Sequence, residues 1–381
     1  MLLFAMKKAF TTAITETIVL VASHTMAAQT FERFWQKVSP KLQDGVSYLE
    51  KTDQDELLGR KTFMEVVTFR DARITRIINS CLEDFLHSDI LALIDSVQKL
   101  QDQIAKRKQR INSWRLGLIS APASTLNPLR QSRARLFKKI KKEQACIEHD
   151  TAQIASLKTE TLAKLSSAGI ALTGAQLDSL LYTAEGAELA QIMAVAENIR
   201  AIQAHLSSSM DPANNAQVRT CSGFLMLCYR IYVEIIERAV SKISGSYLER
   251  LSELADEANR QILRAKVLYE QSKKTSDIAR SNMEINARTI SLVALYRDHL
   301  NNRLKELERL RKEMLANYEL SLNTFRTVKV GSELLSVIAS GEKDLDAIFN
   351  FEPPQLKSIY TDGLAEEFEQ ITRKLKGRTV S

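Results

Sequence analysis

Leu300-Asn-Asn-Arg-Leu-Lys-Glu-Leu-Glu-Arg-Leu-Arg-Lys-Glu-Met314 is the stretch on which the fold turns. Leu300, Leu304, Leu307 and Met314 recur at four-, three- and seven-residue steps along one helix face. The Lys, Arg and Glu between them alternate in sign, as on a solvated helix surface. The pattern extends in both directions. Neither Gly nor Pro occurs from Ser246 to Val330, and a seven-residue frame from Leu251, with partner positions from Ala255, makes sixteen of twenty-two seam positions through Phe325 apolar. Ile262, Ala265, Met283, Ile290, Val293 and Tyr318 are among them. Unbroken, such a helix would measure about 130 Å. The polar exceptions Ser272, Ser276 and Asn286 gather beside Lys273-Lys-Thr-Ser-Asp277 and predict a kink or a break between two antiparallel segments there. Pairing through this seam also makes the long helices a candidate surface for a second copy of the chain.

Working outward, Gly223 to Ile236 is the most apolar run, yet it contains Arg230 and Glu234 and is shorter than the roughly 20 residues that span a bilayer. It predicts a helix buried on most sides. Gly174 to Met210 reads as a helix interrupted near Gly186, and Ser207 to Asn215, which holds Pro212, as a loop. Phe31 to His87 reads as short helices bracing the base of the arm described next, interrupted at Pro40 and Gly45, with Lys51-Thr-Asp-Gln-Asp55 as a polar turn. After Gly331 and Gly341, a capped helix from Thr361-Asp362 to Gly377 places Leu364, Phe368, Ile371 and Leu375 on one face. That face is expected to dock back onto the long helices, with a partner-binding tail as the alternative.

The densest chemistry lies in Gln103 to Lys142, forty residues with twelve cations and no Asp or Glu. The cations are Lys106, Arg107, Lys108, Arg110, Arg115, Arg130, Arg133, Arg135, Lys138, Lys139, Lys141 and Lys142. At the centre, Ser120-Ala-Pro-Ala-Ser-Thr-Leu-Asn-Pro-Leu129 forbids a through-going helix, because Pro122 and Pro128 lack the N–H a helix needs. Before it Ile90, Val97, Ile104, Ile111 and Leu118 repeat every seven residues, with Leu93, Leu100 and Trp114 beside them and Arg107 as the exception. After it Leu136, Ile140, Ile147, Ile154 and Leu157 continue the spacing, so two helices can pair antiparallel into an arm that is basic towards its tip.

The whole chain has 381 residues, 45% hydrophobic and 26% charged, with six Pro and twelve Gly, a composition that excludes disorder and suits long helices. The expected fold is therefore all-α and elongated, with antiparallel coiled-coil hairpins and a protruding basic arm. Taking the arm's twelve positive charges from the net +7 leaves −5 for everything else. A local cationic patch on a slightly acidic chain points to an anionic surface, phospholipid, a cell-envelope polymer or nucleic acid, or to another protein as partner. Trp114, Leu116, Leu118, Ile119, Leu126 and Leu129 near the tip read either as core of the hairpin end or as an apolar wedge for a membrane.

Lys7-Lys8, an apolar run from Ala9 to Ala22 and Met26-Ala-Ala28 follow the order of an export signal cut after Ala28. Glu16 interrupts the apolar run, and Met6, Phe10, Ile14 and Ile18 equally suit an amphipathic terminal helix. The resulting division is a signal at 1–28, short helices at 29–88, the arm at 89–166, a long-helix bundle at 167–330 and small helices with an amphipathic tail at 331–381.

Glycine-rich phosphate loops, Cys-x-x-Cys, His-Glu-x-x-His and Gly-x-Ser-x-Gly do not occur. His24, His87, His149, His205 and His299 are scattered, and Cys146 with His149 supplies only two ligands of the four a structural zinc site takes. Cys81, Cys146, Cys221 and Cys228 lack the density of a disulfide scaffold and read as small buried residues. No cofactor, metal or catalytic set is expected. The sequence predicts a non-enzymatic structural or adaptor protein, exported and periplasmic if its source is bacterial. A cytoplasmic nucleic-acid-binding protein is the alternative, disfavoured because Trp114 and Phe137 are the only aromatics on the arm that could stack on bases.

Overall fold

The computed structural model describes residues 31–52, 72–86, 89–122, 132–167, 172–211, 214–271, 276–327, 338, 345 and 364–376. The fold is all-α, with no strand among the described residues. In chain order the helices are α1 (31–52), α2 (Ala72–Phe85), α3 (Asp89–Ser120), α4 (Arg133–Ser167), α5 (Gly174–Tyr182), α6 (Gly186–Ser209), α7 (Asn215–Lys242), α8 (Leu248–Gln271), α9 (Ser276–Thr327) and α10 (Leu364–Leu375). One π-turn, Ile243–Tyr247, carries α7 into α8, and the Leu248 N–H reaches back five residues to the Ile243 carbonyl.

The body is organised around α7. Asn214 starts it by accepting the N–H groups of Ala216 and Gln217 on its side-chain oxygen, which satisfies two donors that a helix start leaves open. Every residue from Ser222 to Val233 is buried, as a helix with neighbours on all sides requires. Two glycines set the closest approach. A Cβ on Gly223 would stand 2.6 Å from Val46 Cγ2, and one on Gly45 would stand 2.6 Å from Leu227 Cδ1, so α1 and α7 cross with backbone against side chain.

The structure corrects the expected interruptions of α1, which runs through both Pro40 and Gly45. Pro40 lies on the exposed side, where water can reach the carbonyl its missing N–H would have bonded, and Gly45 is retained for the crossing with α7. Lys51 and Thr52 are still helical, and the rest of the expected turn lies outside the described residues. Helices α1 and α2 pack on each other and on α6 and α7, and Ile90 at the start of α3 packs against the same core. Phe34 meets Phe85 edge-on at 5.1 Å, Trp35 meets Phe224 at 5.9 Å, Lys41 Nζ donates to Asp84 at 2.5 Å, and Asn198 donates to the Phe85 carbonyl.

Ser246 to Val330 is not one helix: α8 ends at Gln271 and α9 begins at Ser276. The two run antiparallel, and α9, with 52 residues or about 78 Å, continues along α7. Arg297 donates to Ser252, Arg311 to Glu237, and Phe325 packs at Gly223, so fourteen residues forward on α9 match fourteen or fifteen back on its partner. Leu251, Ala258, Ala265, Ala279, Val293, Leu300, Leu307, Met314, Tyr318 and Phe325 of the seven-residue frame are buried there. Ala255, Ile262, Met283, Ile290 and Leu304 of the same frame are half-buried, and Tyr269 is exposed. Phe368, Ile371 and Leu375 of α10 are buried as well, with the Phe368 ring edge-on to Tyr296 at 4.9 Å, so the C-terminal helix docks on α9. The predicted cap at Thr361-Asp362 and stop at Gly377 lie outside the described residues.

A smaller core, formed by Ile94 and Val97 of α3, Ile154 of α4, Leu177 and Leu181 of α5 and Ala190 of α6, joins the α3–α4 pair to the body. Between α5 and α6 the chain turns so tightly that a Cβ on Gly186 would stand 2.0 Å from the Leu180 carbonyl oxygen. The four cysteines carry free thiols, and burial pushes Cys81 up to about 12.

Candidate functional site

Helices α3 and α4 lie antiparallel, and their register can be followed residue by residue. At the connected end, the Arg133 N–H bonds the Pro122 carbonyl at 3.1 Å and Arg133 Nε bonds the Ala121 carbonyl at 3.0 Å. Gly117 then faces Leu136, Trp114 lies under Lys139 with the ammonium 5.4 Å from the ring centroid, and Arg110 donates to Glu143 at 3.1 Å. Ile111, Leu136 and Ile140 are buried between the helices, as the apolar spacing predicts. Pro122 is the last described residue before the connection, and Arg130, Leu126 and Leu129 lie outside the described residues.

The exception in the spacing, Arg107, has a structural explanation. Its Nη1 donates to Glu143 Oε2 at 2.9 Å and its Nε to Asp150 Oδ2 at 3.0 Å. Glu143 and Asp150 follow Leu136 at seven-residue steps, so both acids stand on the seam opposite the cation. The Glu143 hydrogen bond, assisted by Asp150, raises the Arg107 pKa further. Burial alone would raise Glu143, but hydrogen bonds from Arg107 and Arg110 hold it below the usual carboxylate range. Arg107 is therefore committed to the pairing of the helices, and Arg110 partly so.

The remaining cations differ in what they can offer. Arg133 spends one nitrogen on the Ala121 carbonyl and Lys139 covers Trp114, though both stay exposed. Lys106, Lys108, Arg115, Arg135, Lys138, Lys141 and Lys142 are exposed and make no ion pair with a described residue. Of the apolar residues near the tip, Trp114 and Leu118 are half-buried, whereas Leu116 and Ile119 are exposed, as is Phe137. The surface thus combines mobile or forked donors suited to phosphate and carboxylate oxygens with uncovered apolar side chains.

A second polar cluster escaped the sequence because its members are far apart in the chain. Glu185, fully buried at the start of α6, bonds His299 Nε2 of α9 at 2.5 Å. Burial opposes its charge, yet the His299 hydrogen bond keeps its pKa below the usual range. One turn on, Glu188 accepts from Lys242 at 2.5 Å and from the Tyr247 hydroxyl at 3.1 Å. Tyr296 accepts the Ala184 N–H at 2.6 Å, and Arg303 pairs with Glu306. These contacts tie the α5–α6 turn to α7, the π-turn and α9. Each carboxylate has a partner within the cluster, which suits a structural lock.

His205 packs against Phe31 and Trp35, and His149 is exposed. No group of three metal-ligating side chains occurs among the described residues, and Cys146 with His149 gathers no further ligand there. No family model, curated protein or solved structure matches the chain.

Proposed function

We propose that the chain is a non-enzymatic adaptor that uses the α3–α4 pair as a basic coiled-coil arm against an anionic surface. The observation that carries this reading is the set of seven exposed cations, Lys106, Lys108, Arg115, Arg135, Lys138, Lys141 and Lys142, held on two rigid paired helices without a neutralising partner among the described residues. Charges fixed this closely add into a potential of several kT near the surface, enough to raise both the rate and the affinity of encounter with a polyanion. The committed Arg107 keeps the two helices in register beneath them.

The order of basic, apolar and small residues in 1–28 supports an exported setting, periplasmic in a bacterium. Among the described residues no helix is long and apolar enough to cross a membrane. Trp114 lies under Lys139, which withdraws one of the arm's two aromatics from the base stacking that a nucleic-acid reading needs.

The test is a variant with Arg115, Arg135, Lys138, Lys141 and Lys142 replaced by Gln. It should bind heparin and anionic vesicles more weakly, by about 1 kcal/mol per charge at a lipid surface, and with a shallower salt dependence. Binding equal to the parent's would reduce these cations to a solubilising surface. Mass spectrometry of the N-terminus of the natural protein decides the setting, with a start at Gln29 expected.

A further inference from the structure

We infer that the anionic surface is a lipid bilayer and that one broad side of α3–α4 lies on it. The inference rests on the arm engaging an anionic partner at all. With Gly117 opposite Leu136 and Trp114 under Lys139, helix geometry at 3.6 residues per turn places Leu116, Ile119 and Phe137 together on the side of the pair away from Trp114. They are 70%, 79% and 60% exposed, among the most exposed large apolar side chains described. Arg115, Arg133 and Lys141 fall on the same side. Leu116 and Ile119 lie about 28 to 33 Å along α3 from Val97 of the core that joins the pair to the body, so the body does not cover them.

Charge and apolarity on one side select among anionic partners. A polysaccharide or a nucleic-acid backbone complements the cations but gives Leu116 and Ile119 nothing apolar to enter. An anionic bilayer complements both. Phosphate headgroups meet Arg115, Arg133 and Lys141, whose long stems let the charged ends stay at headgroup level, while the triplet enters the boundary between headgroups and acyl chains. The contact is interfacial, in agreement with the absence of a membrane-spanning helix among the described residues.

The experiment compares the parent, the five-Gln variant above and L116S/I119S/F137S for binding to vesicles of phosphatidylglycerol and phosphatidylcholine and to heparin, at low and high salt. The serine variant should keep the parent's melting temperature and its heparin affinity, because its targets are exposed and uncharged. Its vesicle affinity should fall roughly a hundredfold, with the salt-resistant part of binding lost. Added alone, Phe137→Trp should bring a blue-shifted emission component when phosphatidylglycerol vesicles are introduced. Vesicle binding unchanged in the serine variant, or no shift from Phe137→Trp, overturns the bilayer inference. If the parent binds heparin but not vesicles, the bilayer inference falls while the arm reading stands. If it binds neither, both fall.

Discussion

Arg107 Nε donates to Asp150 Oδ2 at 3.0 Å across the α3–α4 seam, and its Nη1 reaches Glu143 Oε2 at 2.9 Å. Removing one partner of a largely buried pair costs more than the pair contributes, because the other charge is left without compensation. Arg107→Ala should therefore destabilise the protein by about 2 to 4 kcal/mol in urea denaturation. Arg107→Met combined with Asp150→Leu should recover most of that loss. Heparin binding by Arg107→Gln should stay within about twofold of the parent, since this guanidinium is not on offer to a partner. A large drop in binding without a drop in stability would return Arg107 to the anion-binding set.

The half-buried Glu197 of α6 and the fully buried Glu185 give the stability opposite pH slopes. Burial raises Glu197 from 4.5 to about 7, so the folded protein binds the extra proton and this contribution, full below pH 4.5, is lost as pH rises towards 7. Glu185 is depressed by its His299 hydrogen bond, so its contribution is present above pH 4.5 and is lost as pH falls through the folded value. Melting temperature measured against pH should lose its fall between about 4.5 and 7 in Glu197→Gln. The acid limb should flatten in Glu185→Gln. A Glu197→Gln profile that overlays the parent's would mean that this side chain reaches water.

Glycines at two turns should respond in opposite senses. Gly186→Ala drives a Cβ to 2.0 Å from the Leu180 backbone oxygen, which cannot swing away as a flexible side chain can. A loss of about 2 to 4 kcal/mol is expected. Gly245→Ala, in the π-turn with nothing within 4 Å, should be neutral or stabilise by about 0.5 kcal/mol through a less flexible unfolded chain. Equal effects in chemical denaturation would contradict the tight α5–α6 turn.

Leu304 and Leu307 both stand on the long seam, but Leu307 is buried and Leu304 only half-buried. A carboxylate without a partner is costly in proportion to the water it loses. Leu307→Asp should lower the melting temperature followed by circular dichroism clearly more than Leu304→Asp. The reverse order would show that the seam is rotated relative to α7 and α8.

The helices themselves were legible in the chain, because periodicity and the placement of Gly and Pro act within a few residues. The seam from Leu251 to Phe325, the break near Ser272, the buried run from Gly223 and the apolar faces of α3 and α4 all follow from such local signals. So did the cationic density of Gln103 to Lys142, although not what each cation does. Arg107 and Lys138 look alike in the sequence. Only pairing with α4 turns one onto Glu143 and Asp150 and leaves the other exposed. Pro40 and Gly45 misled for the same reason, since burial of α1 on α7 outweighs a local preference to stop a helix. Glu185 and His299 stand 114 positions apart, and no local pattern joins them. Their contact exists because packing α9 along the α7–α8 run brings it to the start of α6, a long-range consequence of apolar burial that spacing along the chain does not encode.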